Sequence, residues 1–350
     1  MIETAQGNLL AADVDALVNT VNTVGVMGKG IALQFRRAYP QMFEEYKRAC
    51  AAGDVAIGQM HVWPTDQLNG PRYIINFPTK RHWRGGSKLE YIDQGLRDLV
   101  HVIESLEIES IAIPPLGAGN GGLPWPVVRP RIVEALNGVP DLRVFLYEPG
   151  APPAAREMAG PAEPRRLTKG RAALIALLGG YLSSGAIGAS LIEVQKLMYF
   201  LQEAGEPLRL RFAANRYGPY ADNLRHVLRE LEGSYLTGYG DGSARVMEAE
   251  PIELLPNADS AASEILDQDP GTVDRIERVL ELVEGFDSMY GTELLATVHW
   301  VATREVDAAH LDAVTNKVQT WSRRKQELFT ARHVAIALEH LSSLGWLRAA

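Results

Sequence analysis

The sequence predicts an α/β layered domain followed by a mainly α-helical second domain, and three observations carry that reading. Up to about position 148, short β-branched runs alternate with helically spaced apolar residues. Residues 149–166 then place five prolines and two glycines in eighteen positions. Beyond them the apolar period is almost entirely helical.

Taken in order, residues 16–19, 73–77, 110–113 and 142–146 are short, mostly apolar runs that read as buried strands. Between them, 31–49, 91–106 and 127–136 repeat apolar residues at helical spacing. A buried sheet between helical layers satisfies both patterns. In 149–166 proline removes backbone donors and clashes with the preceding turn, which excludes a helix or a central strand and leaves a semi-stiff linker. After it, 168–182, 191–204, 221–232, 273–283, 293–301, 311–324 and 331–344 suit helices, and only short stretches such as 245–248 are able to pair as strands. Gly218-Pro219 is a turn signal, expected to place Tyr217 and Tyr220 at a helix entrance. The expected division is 1–148, a linker at 149–166, and 167–350.

Composition narrows the function. No run of about 18 apolar residues predicts a membrane span, and Met1-Ile2-Glu3-Thr4 opens no signal peptide, so a cytoplasmic protein with no membrane partner is expected. The single Cys50, expected to pack at a helix end, forms no internal disulfide. No Cys/His cluster has zinc spacing, so neither metal nor cofactor is expected. The formal net charge is −8; residues 1–150 carry −2 and 151–350 carry −6. No overall basic footprint for nucleic acid exists. Residues 241–293 hold 14 acids against 3 bases.

Two loops draw attention. Residues 19–32 (Asn19-Thr20-Val21-Asn22-Thr23-Val24-Gly25-Val26-Met27-Gly28-Lys29-Gly30-Ile31-Ala32) join a strand to a helix. Glycines there permit a tight turn and bring N–H groups near a phosphate, with the helix N-terminus adding a favourable field. The loop is neither a Walker loop nor a dinucleotide fingerprint, and alone it is equally well a structural turn. Residues 114–125 contain Gly117-Ala118-Gly119-Asn120-Gly121-Gly122-Leu123, again between a strand and a helix. Ligands of open α/β sheets sit beyond the carboxyl ends of strands, so two such loops are able to enclose a diphosphate.

Gly7-Asn8-Leu9-Leu10, residues 16–32 and the 117–123 loop resemble a macrodomain, the three-layer α/β/α fold that binds ADP-ribose. Met27-Gly28-Lys29-Gly30-Ile31-Ala32 with Asn76-Phe77-Pro78-Thr79-Lys80 resembles a narrower branch, the DarG antitoxins, which remove ADP-ribose from thymidine in DNA and oppose DarT toxins. The resemblance covers about 1–148. It implies that Asn8, beside Leu9, accepts from the adenine amino group, where macrodomains more often carry Asp. It implies that Asn22 bonds the distal ribose, near Asn19, and that Gly28, Lys29 and Gly30 line that ribose and its phosphate. The segment Gly117, Ala118, Gly119, Asn120, Gly121, Gly122 and Leu123 would wrap the diphosphate. Lys80 resembles the catalytic lysine of the branch. A related protein glycohydrolase pairs its lysine with an aspartate where this chain has Gly121.

Two mechanisms follow. Neutral Lys80 attacks the anomeric carbon or its opened aldehyde, or cationic Lys80 stabilises the departing thymine anion while water attacks. Arg81, His82, Trp83 and Arg84 suit single-stranded DNA, the aromatic faces stacking on bases and the cations holding phosphates. In the second domain, residues 191–200 with Asn215-Arg216-Tyr217-Gly218-Pro219-Tyr220 resemble helical antitoxin domains. Its acidic run, with Asp259, Glu264, Asp267, Asp269 and Asp274, is the expected surface for a DarT-like toxin, imitating a DNA backbone. The alternatives are a non-catalytic ADP-ribose reader and a transcription regulator; Lys80 argues against the first and the acidic balance against the second.

Overall fold

The computed structural model describes all residues except 66–69, 151–152, 162–165, 184, 186–187, 307–309 and 348–350. It divides into two units, Met1–Ala162 with Asp241–Ala244, and Glu163–Gly240 with Arg245–Ala350.

The first unit runs β1 (Ile2–Ala5), β2 (Ala16–Asn22), α1 (Gly30–Ala38), α2 (Pro40–Ala52), β3 (His61–Pro64), β4 (Tyr73–Lys80), α3 (Leu89–Ser105), β5 (Ser110–Ile113), α4 (Trp125–Leu136) and β6 (Arg143–Tyr147). The six strands form one sheet in the order β1-β6-β5-β2-β4-β3, parallel except for β3 against β4. Alternation along β2 explains the layers. Ala16 and Val18 pack with Ile92, Leu96 and Ile132 of α3 and α4, whereas Leu17 and Val21 pack with Phe35, Met42 and Tyr46 of α1 and α2. This is the three-layer α/β/α arrangement.

The expected helix at 31–49 is two helices. Tyr39 adopts a non-helical backbone before Pro40, which opens α2 at its first turn, where its missing N–H costs nothing. Two short strands, β1 and β3, were not expected. Part of the expected linker does not behave as a spacer: Ala155–Glu157 forms a 3₁₀ turn in which Ala155 is buried, and Asn8 Nδ2 donates to the Glu157 carbonyl at 2.8 Å.

The second unit runs α5 (Lys169–Leu182), α6 (Leu191–Glu203), β7 (Phe212–Asn215), β8 (Gly218–Ala221), α7 (Leu224–Leu231), β9 (Leu236–Thr237), β10 (Glu253–Leu254), α8 (Ala258–Leu266), α9 (Pro270–Val283), α10 (Met289–Arg304), α11 (Leu311–Thr320), α12 (Arg323–Leu328) and α13 (Ala331–Ser343). α6 is started by a full capping box between Ser190 and Glu193. Three expectations change. Arg245–Glu248 is a turn, not a strand. Gly218, Pro219 and Tyr220 lie in β8, so the Arg216–Tyr217 turn closes a hairpin rather than opening a helix. The helix expected at 311–324 is interrupted at Trp321, because the Ser322 side chain caps a new helix by accepting from the Lys325 amide. No described helix is long and apolar enough to cross a membrane.

Candidate active site

Three neighbouring parallel strands, β5, β2 and β4, end on the same side of the sheet, and each leads into a loop carrying expected site residues. β2 leads through the first glycine loop to α1. β5 leads through the second to α4. β4 ends at Lys80 and leads through residues 81–88 to α3.

The end of β4 is irregular. Val21 pairs with Pro78 but Asn22 pairs with Lys80, so Thr79 is the extra residue of a bulge, and its side chain is buried. Bulges re-aim the residues that follow; here the bulge sets Lys80 opposite Asn22. Half-buried Lys80 donates from Nζ to the Asn120 carbonyl, bridging β4 to the second glycine loop. Among the described residues no carboxylate lies at ion-pair distance from it. Partial burial pulls its pKa below the usual lysine range.

The second loop turns on itself through Leu123 N–H to Gly117 C=O at 3.0 Å and Gly122 N–H to Gly119 C=O at 3.1 Å. The amides of Gly119, Asn120 and Gly121 donate to no protein acceptor among the described residues. Three successive unclaimed N–H groups make a ready anion cradle. Gly121 has no room for any side chain: a Cβ would sit 2.2 Å from the Gly117 carbonyl oxygen and 2.3 Å from Ser87 Oγ. The aspartate of the related glycohydrolase therefore has no counterpart here for a steric reason. Gly119 and Gly28 are different, since a Cβ at Gly119 meets nothing within 4 Å and one at Gly28 meets only Val26, at 3.8 Å. The two loops converge where Gly30, at φ +62°, faces the Asn120 amide; a Cβ would lie 2.9 Å from its Nδ2.

Several residues expected at the site also bond within the protein. Asn19 is fully buried and donates to Asn76 Oδ1 at 2.8 Å, tying β2 to β4. Asn22 is 6% exposed, and its amide braces the first loop: Oδ1 accepts from Val24 and Val26, and Nδ2 donates to the Val26 carbonyl at 2.6 Å. It shapes the loop, and one N–H of its Nδ2 stays without a protein acceptor among the described residues. Tyr46 completes that brace, donating to the Asn22 carbonyl at 2.5 Å. Asn8 caps the 3₁₀ turn Leu9–Ala11 by accepting from Leu10 N–H at 3.1 Å, and Leu9 is buried. Lys29 is exposed at the N-cap of α1, and Gly117 holds φ +66°.

Arg81, His82, Trp83 and Arg84 are all exposed. Trp83 stacks on His82 with centroids 5.4 Å apart, and the Arg84 guanidinium lies 4.5 Å from the Trp83 ring. Ser87, which the sequence did not single out, donates its amide to the Gly121 carbonyl at 3.0 Å. Thr23 Oγ1, equally unmarked, donates to the Arg81 carbonyl at 2.8 Å. Both are ordinary polar residues whose partners lie far away in sequence, so no local signal marks them.

A chain of 48% identity settles the relationship: the DNA ADP-ribosyl glycohydrolase of Thermus aquaticus aligns over 350 residues, 99% of this chain and 95% of that one. The chain belongs to the DNA ADP-ribosyl glycohydrolase (DarG) family. Within it, the Macro domain family profile matches residues 18–132. The solved macrodomain of Mycobacterium tuberculosis DarG is 59% identical, covering 43% of this chain and 99% of that one with a TM-score of 0.43. A Thermosipho africanus DNA ADP-ribosyl transferase–DNA ADP-ribosyl glycohydrolase fusion protein is 31% identical over 159 residues, 41% of each chain.

The acidic run of this DarG-family chain is not one continuous surface. Asp241 is 3% exposed, and Glu293 is fully buried against Lys325 and Arg324. Asp259, Glu264, Asp267 and Asp274 are exposed on or beside α8 and α9. Asp269 is half-buried and pairs with Lys169 at 3.0 Å.

Proposed function

We propose that this chain hydrolyses the N-glycosidic bond between ADP-ribose and thymidine in single-stranded DNA, with residues 1–148 as the catalytic domain and Lys80 as the catalytic residue. The observation that carries this reading is the position of Lys80, bonded to the Asn120 carbonyl beside three unclaimed amides and without a carboxylate. The diphosphate of ADP-ribose occupies the cradle of Gly119–Gly121 and the open space at Gly28. Lys80 acts as a cation. As the bond from the anomeric carbon to the imide nitrogen breaks, its charge stabilises the thymine anion. Water adds its oxygen to the anomeric carbon and gives up a proton that neutralises the imide. Charge stabilisation of this kind needs no acid partner, which fits a loop that has no space for one at Gly121. Arg81, His82, Trp83 and Arg84 contact the DNA strand.

Residues 167–350, most of them in the second unit, bind and inhibit a DarT-like ADP-ribosyltransferase independently of Lys80. The acidic face of α8 and α9 supports this, since spaced carboxylates complement a groove built for phosphates. The fused transferase–glycohydrolase relative, aligned over 41% of this chain, supports a DarT-like transferase as the partner.

Incubating the protein with an ADP-ribosylated, thymidine-containing oligonucleotide and measuring free ADP-ribose tests the reading. Release is expected. Tight ADP-ribose binding without release would return the chain to a non-catalytic reader.

A further inference from the structure

We infer that Arg81, Lys88 and Tyr91 form a cradle for a phosphodiester of the DNA strand adjoining the modified nucleotide, a site separate from the glycine loops. The inference rests on the hydrolase reading and extends it to Lys88 and Tyr91. The Arg81 guanidinium lies 5.9 Å and the Lys88 ammonium 5.7 Å from the centroid of the Tyr91 ring. One aromatic ring therefore gathers two like charges, each held by a cation–π contact. Both side chains are exposed, and among the described residues neither has a carboxylate at ion-pair distance. Two cations, each within 6 Å of one ring centroid and without a counterion among the described residues, attract an anion from solution, and on a nucleic-acid strand that anion is a phosphodiester.

The cradle is also held in place. The Arg81 carbonyl accepts from Thr23 of the first glycine loop at 2.8 Å, and Ser87, next to Lys88, donates its amide to Gly121 of the second at 3.0 Å. Both ends of the 81–88 loop are thus pinned to the loops assigned to ADP-ribose. A phosphate bound there fixes the strand relative to Lys80. The stacked His82–Trp83 pair within the same loop supplies a face for a flanking base.

The test uses the full chain carrying Arg81→Gln with Lys88→Gln. Turnover is measured on an ADP-ribosylated single-stranded oligonucleotide across a salt series, and on ADP-ribosylated thymidine nucleoside, which has no phosphodiester. Binding of a fluorescent, unmodified oligonucleotide is followed in parallel. On the oligonucleotide, kcat/KM is expected to fall about tenfold at low salt through KM, and the log–log salt slope to flatten by about 0.7, the value for one single-strand phosphate that is no longer neutralised. The loss on the nucleoside is expected to be far smaller. Tyr91→Phe should keep the strand preference and Tyr91→Ala should weaken it. Arg97→Gln with Arg143→Gln, an equal charge change elsewhere on the unit, should leave the slope alone. An unchanged slope in the Arg81/Lys88 variant, or an equal loss on both substrates, would overturn the cradle. If the wild type turns over neither substrate, the hydrolase reading falls. Oligonucleotide binding then decides the cradle: weaker binding in the variant supports it, and unchanged binding refutes it.

Discussion

Lys80 in the first unit and the Lys196–Lys325 pair in the second occupy opposite environments. Lys325 is fully buried, donating to Glu293 Oε1 at 2.6 Å and to Thr297 Oγ1 at 3.0 Å, with Arg324 on the same carboxylate oxygen. Lys196 is 1% exposed and donates to the Pro219 carbonyl at 2.6 Å. Burial, reinforced by Lys325, pulls Lys196 down to about 7, and burial pulls Lys325 to about 8. The fold neutralises Lys325 on Glu293 and seals Lys196 away from solvent. Lys80 likewise has one carbonyl acceptor but is only half-buried, leaving two of its three N–H donors and its whole charge for whatever enters the site. The chemistry of a lysine is set by what the fold leaves unclaimed.

The contrast breaks most severely at the wall beside Lys80. Gly121→Val forces a side chain into the Gly117 carbonyl, so ADP-ribose affinity measured by calorimetry should fall more than 100-fold and thermal stability should drop with it. Gly119→Val and Gly28→Val probe the space assigned to the ligand. Neither position clashes with the protein, so melting should be preserved while affinity falls roughly 10–100-fold, the ~1.4 kcal/mol per tenfold that a blocked anion site accounts for. Unchanged affinity in both would move the diphosphate elsewhere.

The next test concerns the acidic face of the second unit. Reversing Asp259, Glu264, Asp267 and Asp274 to Lys should weaken affinity for a DarT-like toxin about tenfold or more at low salt. The effect should shrink as the screening length approaches about 8 Å near physiological ionic strength. An unchanged dissociation constant at low salt rejects mimicry by this face.

The smallest expected effect concerns the buried pair. Lys196 binds its proton more weakly folded than unfolded, so the burial penalty is full below pH 7 and is relieved as pH rises from about 7 toward the ordinary lysine value of 10.5. Lys196→Met should therefore raise the melting temperature by a few degrees near pH 6, and the gain should fade toward pH 10. A gain independent of pH would contradict the assignment of charge burial at this site.

Much of the fold was legible where composition and burial agree. The strand at 110–113 matches β5 residue for residue, because all four of its residues are buried. β1 and β3 escaped because they are four-residue edge strands with exposed or half-exposed side chains. The helix breaks lay at Pro40, a proline, and at Ser322, whose capping role depends on its position. The glycine loops were visible as patterns. The roles of Asn19 and Asn22 were not, since an amide reads alike whether it serves a ligand or a neighbouring strand, and only the fold supplies Asn76 and Val26 as partners. The Thr79 bulge that sets Lys80 is marked in the sequence only by Pro78, a residue that a central strand admits at a bulge.

The central claim is that Lys80 carries the chemistry while the glycine loops carry the binding. The direct measurement takes Lys80→Ala, determines its ADP-ribose affinity by calorimetry, and determines ADP-ribose release from the modified oligonucleotide on the same preparation. The account predicts release lowered by at least 100-fold, on the order of 3 kcal/mol of transition-state stabilisation, with affinity within about threefold of wild type. Wild-type release from Lys80→Ala would contradict it.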